Sequence, residues 1–253
     1  MVGIRSAIYF SFMVVTGSVW GLLSALARVL PVRPRFTFIS QWAILNVAML
    51  KVICGLGYRV EGRENVPKEP CVILSKHQST WETMIMQLLF PPVTWVLKKS
   101  LIRIPFFGWG LAALDPVAID RQARKQALEQ VIEQGKDRLT RGWNIVIFPE
   151  GTRMAPGVMG KFKLGGARLA VESGRLVVPV AHNAGEFWPR HGFKKHPGTI
   201  TVVIGEPFDP SGMSPDEVNK RVYDFIETQM KRITTLPQKN EPEQSSLQQT
   251  ATD

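Results

Sequence analysis

The side chains best suited to acid–base chemistry are a histidine and a glutamate five positions apart, His77 and Glu82. An imidazole titrates near neutral pH, so it can remove a proton from a hydroxyl group. A general base also needs a fixed tautomer, which a carboxylate on its second ring nitrogen can supply. Residues five apart do not share a face of a continuous helix. The pair can therefore meet only if His77 lies in a loop and Glu82 lies in the first turn of the next helix.

A purely structural interpretation of the same segment is also open. Ser79 and Glu82 have the spacing of a capping box, in which Ser79 is the N-cap and Glu82 returns a hydrogen bond to its backbone. Glu82 would then only stabilise the helix, and His77 would be a polar loop residue. The apolar run 71–74 predicts a buried strand, so His77 is expected between the carboxyl end of a strand and a helix. Ligands of open α/β sheets bind at that edge.

A second candidate site follows the apolar run 145–148, where the sequence continues Pro-Glu-Gly-Thr-Arg. Gly151 can adopt unusual backbone angles, and loops of this kind can present N–H groups to an anion. Arg153 can add a bidentate grip on phosphate, with Thr152 beside it. Glu150 is counted with this candidate phosphate site, although a carboxylate is better suited to ordering the loop. In isolation, an ordinary solvated turn explains the segment equally well.

Other basic residues stand close to predicted strand ends. Lys98 and Lys99 follow one strand, and Arg121 follows another. Lys161 and Lys163 come after the glycine-bearing loop. One cation at a strand end is usually solvated, whereas several on one edge of a sheet favour an anionic substrate. The sequence thus predicts an anion-binding edge to which Arg121 contributes.

Short β-rich runs alternate with helical stretches from residue 58 to residue 236. The runs expected to be strands are 71–74, 94–97, 117–119, 145–148, 176–178 and 200–204. The last helix has a capping box, with Ser214 as N-cap and Glu217 in its first turn. This alternation predicts an α/β fold with a mixed sheet flanked by helices. The polar tail 237–253 has too few apolar side chains to offset the entropy of ordering, so it is expected to be disordered.

Residues 1–57 are predicted to anchor the chain in a membrane through two helices. Residues 6–30 carry one charge, Arg28, and can cross a bilayer core. Residues 36–57 form a weaker, amphipathic segment. Basic loops tend to stay on the cytoplasmic side of a membrane. If both helices spanned, the basic link between them would lie on the opposite side whenever the catalytic domain faced the cytoplasm. Either the first helix alone spans, or both enter one leaflet as a hairpin. A core helix of the catalytic domain is a further explanation for the second segment.

The charge balance is basic, with 31 Lys and Arg against 21 Asp and Glu and a formal net charge of +10. A negatively charged neighbour is implied, and the apolar N-terminus favours a membrane over nucleic acid, for which no recognition motif is present. The cysteines and histidines lack the spacing of a zinc site, so no metal is expected. A Gly-x-Ser-x-Gly nucleophile elbow is absent, which disfavours a hydrolase.

These motifs together resemble the glycerolipid acyltransferase family, and most closely its bacterial branch that acylates 1-acylglycerol 3-phosphate. The first family motif is similar to His77 with Glu82, although the family usually has aspartate at the second position. The second motif is similar to Arg121, here without the glycine and phenylalanine that often precede it. The third, Phe-Pro-Glu-Gly-Thr-Arg, is matched in full by residues 148–153. The fourth, a proline-bearing apolar strand, resembles residues 177–180.

The resemblance implies an O-acyltransferase of phospholipid biosynthesis that converts a lysophosphatidic acid into phosphatidic acid. His77 would take the proton of the free sn-2 hydroxyl, with Glu82 orienting it, and the oxygen would attack the thioester of acyl-CoA or acyl carrier protein. The acceptor phosphate would be held by Arg121, Gly151, Thr152 and Arg153.

The same resemblance implies a bacterial inner-membrane protein whose catalytic domain faces the cytoplasm, with no metal and no cofactor besides the acyl donor. The oligomeric state is left open. The alternatives are a transferase for another acceptor, such as glycerol 3-phosphate, and a non-catalytic module that binds anionic lipid.

Overall fold

The computed structural model describes residues 1–120, 123–234 and 236, so Arg121 and the tail 237–253 lie outside the described residues. The described strands are β1 (Leu56–Glu61), β2 (Val72–Ser75), β3 (Val93–Lys98), β4 (Val117–Ile119), β5 (Asn144–Ile147), β6 (Val177–His182) and β7 (Gly198–Ile204). The helices are α1 (Val2–Leu26), α2 (Val32–Cys54), α3 (Trp81–Leu89), α4 (Phe107–Ala112), α5 (Arg124–Thr140), α6 (Gly165–Ser173), α7 (Ala184–Phe187) and α8 (Pro215–Ile233). The predicted α/β fold is confirmed.

The described strands form one mixed sheet in the order β1-β7-β6-β2-β5-β3-β4. Strand β2 lies between β5 and β6 and pairs with both in parallel. Strand β3 pairs in parallel with β5 and β4. Strand β7 runs antiparallel to β6, and β1 pairs in parallel with β7. Because β2 to β6 are mutually parallel, the loops that follow them begin at one edge of the sheet.

Strand β1 is missing from the set of predicted strands. It alternates the apolar side chains Leu56, Tyr58 and Val60 with the polar side chains Arg59 and Glu61. Such alternation is typical of a half-buried strand, and β1 is an edge strand with a single neighbour. The predicted boundary between the anchor and the catalytic domain falls inside this strand.

Helices cover both faces of the sheet, as alternate side chains of β2 show. Ile73 packs into a core with α2 and α3, whereas Val72 and Leu74 pack into a second core with α5, α6 and α8. Helix α8 begins with the predicted capping box, since the Ser214 hydroxyl accepts the N–H of Glu217 and the Glu217 carboxylate accepts the N–H of Ser214. The two cores position the loops on which the candidate site lies.

The N-terminal helices pack side by side as an antiparallel hairpin, in which Trp42 of α2 donates a hydrogen bond to Thr16 of α1. Both helices are long and apolar enough to cross a membrane, judged by length and composition. Helix α2 nevertheless buries Phe36, Ala43 and Leu50 in the core beneath the sheet. Helix α2 is therefore a core helix as well as part of an apolar hairpin, two roles that the sequence left as alternatives.

Candidate active site

His77 lies in the loop between β2 and α3, at the edge where the parallel strands end. Its Nδ1 atom is 2.5 Å from Oε2 of Glu82, which stands in the first turn of α3. The imidazole stacks on the ring of Phe148, with centroids 3.9 Å apart and planes 12° from parallel. The His77 side chain keeps 14% of its surface exposed, while that of Glu82 is fully buried. The loop-and-first-turn arrangement that the spacing required is present.

The Glu82 carboxylate also binds the backbone of its own loop. Its Oε1 atom accepts the N–H of Gln78 at 2.7 Å and the N–H of Ser79. The orienting contact and the capping contact are thus made by the two oxygens of one carboxylate. The N-cap is Thr80 rather than the expected Ser79, because the helix begins only at Trp81. Glu82 still accepts the N–H of Ser79, but the Ser79 hydroxyl accepts the N–H of Trp81 and not that of Glu82.

The ionisation of Glu82 follows from these contacts. Burial alone raises the pKa of the carboxyl group, and the neighbouring imidazoles of His182 and His77, with the N–H of Gln78, lower the pKa by more. The pKa therefore lies below its usual range, and Glu82 remains an anion near neutral pH. An anion at Nδ1 holds the His77 proton on that nitrogen, which leaves Nε2 as a basic lone pair.

The loop after β5 carries the other predicted site residues, and Glu150 points away from solvent within it. Its carboxylate forms an ion pair with Lys76, and the side chains of both residues are fully buried. It also accepts the N–H of His77 and the N–H of Gly160, each at 3.0 Å. This geometry favours the loop-ordering role for Glu150 over direct contact with a phosphate group.

Gly151 has a left-handed backbone with φ of 69°. A Cβ atom at this position would lie 2.7 Å from Nζ of Lys163, so the ammonium occupies the space that the missing side chain leaves. Thr152 is exposed and Arg153 is half-buried on the same loop. The structure thus places Gly151, Thr152, Arg153 and the exposed Lys163 on the segment after β5, which also binds the backbone of His77 through Glu150 and Met154.

The loop that carries His77 and the loop after β5 are directly joined, because the N–H of Met154 donates to the carbonyl oxygen of His77 at 2.7 Å. The predicted cations Lys98 and Lys161 are exposed. Within the part of the chain that the structure describes, no group of three or more His, Cys, Asp or Glu side chains is arranged to hold a metal ion. The site presents a basic nitrogen beside a cationic, glycine-bearing loop.

A protein-family model described as Acyltransferase matches residues 57–183. The chain belongs to the acyltransferase family. The matched residues include both loops of the candidate site and end one residue beyond β6.

Individual relatives extend this similarity over nearly the whole acyltransferase chain. A 1-acyl-sn-glycerol-3-phosphate acyltransferase of Pseudomonas aeruginosa is 45% identical over 248 residues, which is 96% of each chain. A protein of the same description from Saccharomyces cerevisiae is 28% identical and covers 80% of this chain and 70% of its own. The crystal structure of the 1-acyl-sn-glycerophosphate acyltransferase PlsC from Thermotoga maritima superposes with a TM-score of 0.76, at 25% identity, over 94% of this chain and all of that one.

Two residues of this acyltransferase site were not singled out from the sequence. His182, at the end of β6, is fully buried, with Nε2 2.8 Å from the carbonyl oxygen of Lys76 and 3.5 Å from Oε1 of Glu82. Burial lowers the pKa of His182 while the charge of Glu82 opposes that shift, and Nε2 donates to the carbonyl oxygen of Lys76. The second residue is Lys76 itself. A histidine closing an apolar strand and a lysine directly before His77 were the available signals.

Proposed function

We propose that the chain transfers an acyl group from a thioester to the free sn-2 hydroxyl of 1-acylglycerol 3-phosphate and so forms phosphatidic acid. One observation carries this proposal. The only tautomer of His77 that the Glu82 contact favours leaves Nε2 basic, next to a loop suited to an anion. The names of the relatives from Pseudomonas aeruginosa and Saccharomyces cerevisiae support the choice of acceptor.

The proposed reaction is a direct transfer. His77 Nε2 removes the proton from the acceptor hydroxyl while the oxygen attacks the thioester carbonyl carbon. The carbon–sulfur bond then breaks, and the thiolate leaves and takes the proton from the imidazolium. Glu82 stabilises the imidazolium through Nδ1 during the step. Acyl-CoA and acyl carrier protein are both suitable donors, each as a substrate, and no resident metal or cofactor is needed.

The acceptor phosphate is proposed to bind on the loop after β5. Arg153 supplies a guanidinium and Thr152 supplies a hydroxyl, and the left-handed turn at Gly151 leaves room for a cation beside them. The ammonium of Lys163 lies close to Gly151 and adds a further cation to this loop. The sequence alone indicated only that Lys163 follows the glycine-bearing loop. Arg121 is proposed as a further cation because it follows β4, whose carboxyl end lies on the same edge of the sheet.

The proposed location is the bacterial inner membrane, with the catalytic domain facing the cytoplasm. The exposed side of α1 is apolar along its length, including Ile8, Val15 and Leu22. Helix α2 cannot cross the bilayer separately while its inner face is packed in the core. These facts support a hairpin in one leaflet over two independent spans. Acceptor and product are lipids, so a site attached to the leaflet meets both.

The decisive experiment crosses acceptors with donors using the purified full chain in vesicles. Lysophosphatidic acid, glycerol 3-phosphate and a lysophosphatidylcholine are each offered with acyl-CoA and with acyl carrier protein. We expect transfer to lysophosphatidic acid, and loss of transfer in His77→Ala with membrane association intact. Preferential acylation of glycerol 3-phosphate would show that this compound, and not lysophosphatidic acid, is the acceptor. Vesicle binding without turnover by the wild-type chain would favour the non-catalytic lipid-binding alternative.

A further inference from the structure

A buried ion pair that the proposed mechanism does not use lies directly behind His77. The side chains of Lys76 and Glu150 are both fully buried. Nζ of Lys76 donates to the Glu150 carboxylate and, at 2.8 Å, to the carbonyl oxygen of Val158. Lysine and glutamate are almost never fully buried unless they are paired, because removing charge from water is costly. A turn that only connected β5 to α6 would not require such a pair.

The carboxylate of this pair reaches the candidate base through the backbone. Oε2 of Glu150 accepts the N–H of His77 at 3.0 Å, while Oε1 accepts the N–H of Gly160 at 3.0 Å. The carbonyl of His77 is held separately by the N–H of Met154. Both polar groups of the His77 backbone are therefore fixed by the segment that follows β5. The direction in which the imidazole leaves the backbone depends on these contacts.

We propose that Lys76 is a positioning residue, whose buried ammonium holds Glu150 in the orientation that fixes the backbone of His77. The inference rests on the proposed function, because the placement of His77 matters most if it is the base. Lys76 has no exposed side-chain surface, so it acts through Glu150 and not on a substrate. Burial lowers the pKa of Lys76 and raises that of Glu150, and each charge opposes the shift of the other. Loss of the ammonium would leave Glu150 as a buried acid that turns away or takes up a proton.

The main chain of Lys76 is held independently of its side chain. Its N–H donates to the carbonyl of Val180 at 3.0 Å, and its own carbonyl accepts from His182 at 2.8 Å. A change of the side chain therefore leaves these contacts with β6 available. This separation allows the role of the ammonium to be tested in a folded protein.

The test compares Lys76→Met with the wild type, using whichever acceptor and donor the wild type uses best. Methionine keeps an unbranched side chain of similar length and removes the charge. We expect kcat to fall about 10- to 100-fold, because a small displacement of a catalytic group is sufficient for such a loss. The acceptor KM should change less than about threefold. Lys136→Met is the matched control, since Lys136 pairs with Glu172 on the surface at 3.3 Å, and it should keep wild-type kcat.

A double variant, Lys76→Met with Glu150→Gln, guards against misfolding of the single one. It removes both buried charges, and the amide oxygen of Gln can still accept one backbone N–H. We expect it to melt at a higher temperature than Lys76→Met and to recover part, but not all, of the lost kcat. Wild-type kcat in folded Lys76→Met, or in the double variant if the single one does not fold, would overturn the inference. A wrong acceptor in the proposed function would be detected separately, because the wild-type chain itself would then fail to acylate lysophosphatidic acid.

Discussion

Nδ1 of His77 lies 2.5 Å from Oε2 of Glu82, and Oε1 of the same carboxylate accepts the backbone N–H of Gln78. One glutamate therefore fixes both the ring of His77 and the loop that carries it. The contact forms because α3 begins only at Trp81 and Glu82, in its first turn, reaches back over the loop.

Shortening this acid and neutralising it should have different effects. Glu82→Asp keeps the charge but withdraws it by one methylene, so we expect kcat to fall about tenfold. Glu82→Gln keeps the length but loses the anion that stabilises the imidazolium, so we expect a fall of about 100-fold or more. Steady-state kinetics at saturating acceptor measure both. Glu172→Gln, on the surface of α6, is the control. Full activity of Glu82→Gln would exclude the orienting role of Glu82 and leave helix capping as its function.

Removing the guanidinium of Arg153 should weaken acceptor binding. For Arg153→Ala we expect the acceptor KM to rise about 10- to 100-fold with a smaller change in kcat, because the phosphate is remote from the reacting oxygen. Arg175→Ala is the matched control. Arg175 is also half-buried, but it precedes β6 and so lies at the opposite edge of the sheet. An unchanged KM with a lower Tm would show that Arg153 only supports the loop.

A methyl group at Gly151 should displace the ammonium of Lys163. Gly151→Ala places Cβ 2.7 Å from Nζ and also strains a backbone with φ of 69°. Gly142→Ala separates the two effects, since Gly142 has φ of 89° and nothing within 4 Å of its Cβ position. Both variants should lose about 1 kcal/mol or more of stability from backbone strain. Only Gly151→Ala should raise the acceptor KM. Equal KM values for the two would exclude a role for Lys163 in phosphate binding.

The buried imidazole of His182 should make the fold sensitive to mild acid. Burial lowers the pKa of His182 below its ordinary value of 6.5. The unfolded chain therefore takes up a proton at a higher pH than the folded chain does. Stability from this group is complete above about pH 6.5 and decreases as the pH falls below it.

Thermal melts between about pH 7 and about pH 5 test this dependence. The Tm of His182→Gln should fall less steeply over that interval than the Tm of the wild type, because the amide does not titrate. His196→Gln, at an exposed position, should retain the wild-type slope. Parallel slopes for all three proteins would show that another group causes the acid sensitivity.

The sequence was sufficient for features that depend on neighbours along the chain. His77 with Glu82, the loop of residues 148–153 and the capping box of α8 are all local patterns. Lys76 and His182 were missed because their roles depend on partners distant in sequence: Glu150 is 74 positions from Lys76, and the carbonyl that His182 binds is 106 positions away. The residue types and positions were visible in the sequence, but neither partner could be identified from it.

Other features were ambiguous for a physical reason. An amphipathic apolar helix has the same periodicity whether its partner is lipid or a protein core, so α2 could not be assigned to one of them. Its contact with Trp143 through Phe36, with ring centroids 5.9 Å apart, required the tertiary structure. Strand β1 alternates regularly, but its pairing with β7 joins segments more than 100 positions apart.

Helix α2 enters the core at Phe36 and Leu50, and Arg35 at its start forms a 2.5 Å ion pair with Asp115 ahead of β4. Deletion of α1 and α2 would therefore not yield a working soluble enzyme. It would uncover the apolar face of α3 and leave a charged aspartate without this partner. The apolar hairpin and the acyltransferase domain therefore share one core, and a chain without α2 would need another cover for that face.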